Sequence, residues 1–195
     1  QMDNIVISNL DGNEWKKIRH KYHSLNKGMD KNIAAKILFE FDDIMKDNNI
    51  QYFLSCGTAL GFYRDGNFIE WDDEIDVDVL SAKLMPKFDA LKYNFLQKGF
   101  VVRTTNRGNT SKMNVFKEGI KIAISSLDLQ GKYRIYSNQK IPQHLYNDTH
   151  KFKYLDRAFN LPNPIDEYLT WYYGDWKTVI KSYEPKSYMN KNVWR

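Results

Sequence analysis

The sequence predicts a mixed α/β or α+β core with a helical C-terminal part, and three observations carry that reading. Helix-periodic and strand-like segments alternate from about residue 30 to about residue 140. Within them, Glu70-Trp71-Asp72-Asp73-Glu74-Ile75-Asp76-Val77-Asp78-Val79 alternates acidic and aliphatic side chains at the period of a strand. After Pro142 the chain turns aromatic-rich, with Pro162 and Pro164 punctuating what reads as helices and loops.

Taken in order, residues 1–28 read as irregular or helical. Asp30 is placed as an N-cap, and Ile33, Ile37, Leu38, Phe41, Ile44 and Met45 follow at helical spacing until Asn48-Asn49. Gln51–Cys56 reads as a short strand, and Gly57-Thr58 opens a helix through Ala59, Leu60 and Tyr63 that ends at the Asp65-Gly66 turn. The acidic strand then runs to Leu80. Residues 83–98 fit a helix with Leu84, Phe88, Leu91 and Phe95 on one side and Gly99 as its stop. Three strands follow, at Phe100–Thr105, Met113–Phe116 and Ile120–Leu129, with Tyr133–Tyr136 continuing the sheet and Asn106–Asn109 forming a turn. A last helix is expected over about Ile165–Tyr173.

The 195 residues suit a single domain over 1–195, with a core at about 30–140 and the helical part at about 141–195. Hydrophobic content of 42% with 15% aromatics is that of a globular chain. The net charge of +5 suits either steering of anionic substrates or a solvated Lys-rich surface. No dense Lys/Arg stripe is present, so nucleic acid is not an expected partner. Cys56 is the only cysteine, which excludes an internal disulfide and gives no support for zinc. No apolar run spans a bilayer and no signal-peptide core is present, so a cytoplasmic protein is expected, with peripheral contact to a membrane-linked acceptor left open.

Chemistry centres on the acidic strand. Glu74, Asp76 and Asp78 share one face, while Ile75, Val77 and Val79 share the other. Stacked carboxylates repel and are costly to desolvate, so such a row calls for a counter-cation. Hard oxygen ligands at this spacing suit Mg²⁺ or Mn²⁺, and those ions suit phosphoryl or nucleotidyl transfer. A third ligand is expected from Asp128, a carboxylate flanked by Leu127 and Leu129 in a predicted strand. Gly57 and Thr58, at a strand-to-helix junction, can offer backbone N–H groups and a hydroxyl to a phosphate. Arg64 reads equally as a bidentate phosphate clamp or as a cation serving its helix's C-terminus. Period-two alternation does not decide which of Lys112, Lys117, Lys121, Arg103 and Arg134 face phosphates. His144 and His150 read as structural or exposed. Trp171, Tyr172, Tyr173 and Trp176 read as packing, with a cage for a quaternary ammonium as the sharper alternative.

Together, Gly57-Thr58-Ala59-Leu60-Gly61-Phe62-Tyr63-Arg64 and Gly66-Asn67-Phe68-Ile69-Glu70-Trp71-Asp72-Asp73-Glu74-Ile75-Asp76 resemble the LicD family of phosphotransferases, related to fukutin and fukutin-related protein. The resemblance continues at Leu127-Asp128-Leu129 and returns at Pro162, Tyr168-Leu169 and Tyr173-Gly174-Asp175-Trp176. It implies a nucleotidyltransferase-like fold, a small mixed sheet flanked by helices. It also implies Mg²⁺ held by Glu74, Asp76 and Asp128, with Asp72 as an additional acid, and Gly57, Thr58 and Arg64 facing donor phosphates. The implied reaction moves a phospho-alcohol, phosphocholine or a polyol phosphate, from a CDP-linked donor to a hydroxyl of a glycan or glycolipid and releases CMP. In that reaction Asp76 or Asp128 is the base and Arg64 stabilises developing charge. The chain departs from the family pattern in having Glu74 for Asp, Glu70 for Pro and an extra acid at Asp78, which leaves Glu74/Asp76 and Asp76/Asp78 as alternative ligand pairs. Rival readings are a nucleotidyltransferase that attaches NMP and releases pyrophosphate, and a non-catalytic nucleotide- or glycan-binding module.

Overall fold

The computed structural model describes residues 28–107, 110–182 and 189–194, together with Asn13 and Lys17. The reading of residues 1–28 and the centre of the Asn106–Asn109 turn therefore lie largely outside the described residues.

Helix α1 (Lys31–Asp47) starts where expected, because the Asp30 carboxylate accepts from the Asn32 and Ile33 N–H groups at 2.9 and 3.0 Å. Its buried stripe of Ala34, Ile37, Leu38, Phe41, Ile44 and Met45 lies on the sheet. β1 (Phe53–Leu54) is shorter than expected, since Cys56 already belongs to α2 (Cys56–Asp65). Gly66 ends α2 in the left-handed region, at φ 73°. β2 (Ile75–Leu80) is the acidic strand, although Glu70–Glu74 precede it as irregular chain. The helix expected over 83–98 is split by Pro86 into α3 (Ser81–Leu84), a 3₁₀ turn and α4 (Phe88–Gln97).

β3 (Val101–Arg107), β4 (Thr110–Lys117), β5 (Ile120–Gln130), β6 (Tyr133–Tyr136) and β7 (Gln139–Pro142) complete a seven-stranded mixed sheet. Its main path is β1-β2-β5-β4-β3, with β6 on β5 and β7 on β6. β2 and β5 run parallel, with Asp76 beside Ala123 and Asp78 beside Ser125; the remaining pairs are antiparallel. One face of the sheet is aliphatic (Ile75, Val77, Val79, Ile122, Ile124, Met113, Val115) and forms the core with α1 and α4, where Phe41 stacks on Phe95 at 5.6 Å. The acids are on the other face.

The segment after Pro142 differs from its sequence reading. A 3₁₀ turn at Gln143–Tyr146 leads into a hairpin of β8 (Thr149–Tyr154) and β9 (Arg157–Pro162), where helices and loops were expected. Phe152 and Tyr154 of β8, and Phe159 of β9, pack with Phe62 of α2, so tertiary burial and not local pattern selects the strand state. α5 (Ile165–Tyr173) matches the expected helix. Among the described residues, no helix is long and apolar enough to cross a membrane.

Candidate active site

The junction of β1 and α2 is tied to the acidic strand by backbone geometry. Ser55 N–H donates to the Asp76 carbonyl at 3.0 Å, and Asp76 N–H donates to the Thr58 hydroxyl oxygen at 2.9 Å. Thr58 is buried, so its hydroxyl anchors β2 and does not line the pocket. Gly57 does line it. A Cβ there would sit 2.6 Å from Asp72 Oδ2, so only glycine admits that carboxylate against the first turn of α2. Cys56 holds φ at 45° with its N–H donating to the Tyr168 hydroxyl, and burial pushes its thiol well up, which keeps it from acting as a thiolate.

Burial, then Glu74 and Asp73, pushes the Asp72 carboxyl up to about 7. Asp76 is also driven well up by burial and by the charges of Glu74 and Asp72, while Lys112 and Lys121 pull it back. Asp78, the deepest of the row, is raised by burial to about 6 even though the Tyr146 hydroxyl donates to it at 2.7 Å. These are mutually repelling carboxylates held close in a poorly hydrated place.

The register shows what stands beside them. On β5 the side chains sharing the acids' face are Lys121, Ala123, Ser125 and Leu127. Lys121 Nζ pairs with the Glu74 carboxylate, and Ala123 is the neighbour of Asp76. Lys112 of β4 pairs in register with Ser125 and reaches into the pocket. Burial works against its charge, but Glu74, Tyr136 and Asp76 outweigh it and raise its pKa. Asp128 follows Leu127 by one residue, so alternation puts it on the opposite face, registered with Ile135. Its charge is felt by Arg134 of β6, whose guanidinium pKa is lowered overall by burial.

The set Glu74, Asp76 and Asp128 is therefore not brought together, and the pair Asp76/Asp78 gains no third acid from β5. Among the described residues, no three His, Cys, Asp or Glu side chains are grouped to hold a metal ion. The residues present do not fit a three-carboxylate Mg²⁺ or Mn²⁺ centre.

The pocket encloses about 470 Å³ between α2, β2, the β5–β7 strands and the segment after α5. Arg64 lines it, with its guanidinium on Asp65 at 2.7 and 2.8 Å and on the Trp176 carbonyl at 3.4 Å. Trp71, Tyr136, Tyr172, Tyr173 and Trp176 supply aromatic walls, with Asp175 among them. Trp171 instead donates its indole N–H to the Lys140 carbonyl. Of the undecided cations, Lys112 is the one on the pocket wall; Lys117 holds Glu40 at 2.5 Å. His144 pairs with Glu167 at 2.7 Å and His150 packs on Tyr63, both away from the acids. Tyr136 and Tyr146 are not singled out as site residues by the sequence, and Lys112 is there only one of five undecided cations. Alternation along β4 was the available signal for Lys112, and it lacked a register.

The nucleotidyltransferase domain of the LicD/FKTN/FKRP family matches residues 49–164, a span that holds α2, the acidic strand and the whole sheet. The uncharacterized protein RP689 of Rickettsia prowazekii (strain Madrid E) is 25% identical over 176 residues, covering 80% of this chain. The chain spans 62% of that relative's length. The crystal structure of ANT(2")-Ia in complex with adenylyl-2"-tobramycin superposes with a TM-score of 0.51 at 12% identity, over 71% of this chain and 73% of that one. This likeness establishes the nucleotidyltransferase-like fold. With more than half of its length matched, the chain belongs to the LicD/FKTN/FKRP family through its nucleotidyltransferase domain.

Proposed function

We propose that this chain transfers a phospho-alcohol from a CDP-linked donor to a hydroxyl of a glycan or glycolipid, with phosphocholine the favoured group. The observation that supports this most is the juxtaposition of Asp72, Asp76, Lys112 and Arg64 with an aromatic wall in one pocket of about 470 Å³. Cations beside the acids suit the donor's diphosphate, and the aromatic wall suits a quaternary ammonium, since Trp71 and Trp176 already take the Lys181 and Lys177 ammonium groups on their faces, each at 5.4 Å.

In this reading the acceptor oxygen attacks the distal phosphorus. The new O–P bond forms as the P–O bond to CMP breaks, and CMP leaves carrying the electron pair. The hydroxyl proton passes to Asp76, because a carboxylate held above its ordinary range is the stronger base when ionised. Lys112 and Arg64 face the charge on the departing CMP. The placement of Asp128, registered with Ile135 on the other face, supports a reading in which these side chains act without it.

A second reading, NMP transfer with pyrophosphate release, draws support from the adenylyl-2"-tobramycin with which the structural neighbour ANT(2")-Ia is in complex. Incubation with CDP-choline, CDP-ribitol, CDP-glycerol, CDP-ethanolamine and CTP separates the two. CMP release from a CDP-alcohol is the expected result; pyrophosphate from CTP without CMP would favour the second reading.

A further inference from the structure

We infer that the acid row carries its counter-charge within the chain: Lys121 and Lys112 stand in for a divalent ion, and the site takes its phosphate-bearing ligand without a resident metal. The phosphate-bearing ligand rests on the proposed function; the absence of a metal requirement does not.

Two ammonium groups carry the same formal charge as one Mg²⁺. Lys121 reaches the Glu74 carboxylate from β5, and its side chain is only 11% exposed. Lys112 reaches the same cluster from β4 and lines the pocket beside Asp76. A divalent ion bound at Glu74 would have to displace the Lys121 ammonium and leave it buried without its partner, a penalty that binding must first overcome.

The acids at the pocket are also not arranged as a donor set: Asp72 joins Glu74 and Asp76 there, yet among the described residues no three of them are grouped to hold a metal ion. Mg²⁺ demands near-octahedral oxygen ligation at close range. The residue registered beside Asp76 on the parallel strand is Ala123, which presents a methyl group where a third carboxylate would converge. Asp78 is already committed to the Tyr146 hydroxyl. The β5 face thus offers a cation and a methyl group where metal chemistry would need acids.

The inference predicts an engineered gain. Replacing the ammonium and supplying the missing carboxylate, as in the double variant Lys121→Met/Ala123→Asp, should create a metal site on the same backbone. Titration with Mn²⁺, followed by the loss of the free-ion electron paramagnetic resonance signal, reads this without any turnover. Wild type is expected to show no saturable Mn²⁺ uptake in the sub-millimolar range. The double variant is expected to bind one equivalent with an affinity higher by roughly tenfold or more.

Saturable uptake of one equivalent by wild type, lost in Asp76→Asn, would overturn the inference. So would a folded double variant that binds no more Mn²⁺ than wild type, because Lys121 and Ala123 would then not be what excludes the ion. Should the double variant fail to fold, the wild-type titration decides alone. Calorimetry with CDP-choline adds an independent arm: the dissociation constant is expected to agree within about twofold between EDTA and Mg²⁺ buffers, and roughly tenfold weakening in EDTA would contradict the inference. Failure of CDP-choline to bind in either buffer would count against the proposed function, while the Mn²⁺ titration would still decide this one.

Discussion

The Thr58 hydroxyl oxygen accepts the backbone N–H of Asp76 at 2.9 Å, joining the first turn of α2 to the acidic strand through a part-buried bond. Thr58→Val keeps the shape but leaves that N–H without its acceptor, which should cost about 1–3 kcal/mol in urea unfolding. Thr58→Ser retains the acceptor and should stay within about 1 kcal/mol of wild type. A loss in Thr58→Ser with none in Thr58→Val would instead place the stability in packing of the methyl group.

Gly57 and Asp72 make a second prediction. The clash expected from a Cβ at Gly57 involves only the tip of the Asp72 side chain, which can swing aside. Gly57→Ala should therefore fold with stability within about 1 kcal/mol of wild type, while its affinity for a CDP-alcohol falls. Calorimetry on the folded variant checks this, and unaltered affinity would remove Asp72 from the ligand's surroundings.

Acid titration of the ligand-free protein gives a third. Asp72 is pushed up to about 7, from an ordinary 3.8. The folded state therefore holds a proton that the unfolded chain has released. Its stabilising contribution is present below pH 3.8, is lost as pH rises to about 7, and is flat beyond. Asp72→Asn should gain stability relative to wild type across that window. Urea midpoints at several pH values test it; a parallel pair of curves would mean that Asp72 titrates normally.

How far the sequence revealed this site depended on whether a feature was local. The faces of Asp76 and Asp78 follow from alternation within one strand, and Glu74, just before it, falls outside that strand. The N-cap at Asp30 and the stop at Gly66 follow from single residues. Asp128 was misplaced because its relation to Asp76 depends on inter-strand register: Leu80 pairs with Leu127, and one further residue changes the face. Lys112 and Lys121 were undecidable for the same reason. The β8–β9 hairpin was missed because its aromatics are buried by Phe62, about ninety residues earlier in the sequence, and its local pattern gives no sign of that.

That change of face separates two carboxylates in function. Asp128→Asn should keep CMP release within about twofold of wild type, whereas Asp76→Asn should lose about a hundredfold or more, the size of a general base's contribution. Comparable losses in both would return Asp128 to the site.

The aromatic wall predicts donor selectivity. Trp176→Ala should weaken CDP-choline by about 0.5–2 kcal/mol, the range of a cation–π contact, and leave CDP-glycerol nearly unaffected. Equal weakening of both donors would mean that Trp176 shapes the pocket without recognising a cation.

The most direct test of the account is CMP release from CDP-choline, with water or a glycan hydroxyl as acceptor, measured side by side for wild type and Asp76→Asn. Release by wild type that Asp76→Asn abolishes is the predicted result. Turnover that survives Asp76→Asn undiminished would contradict it.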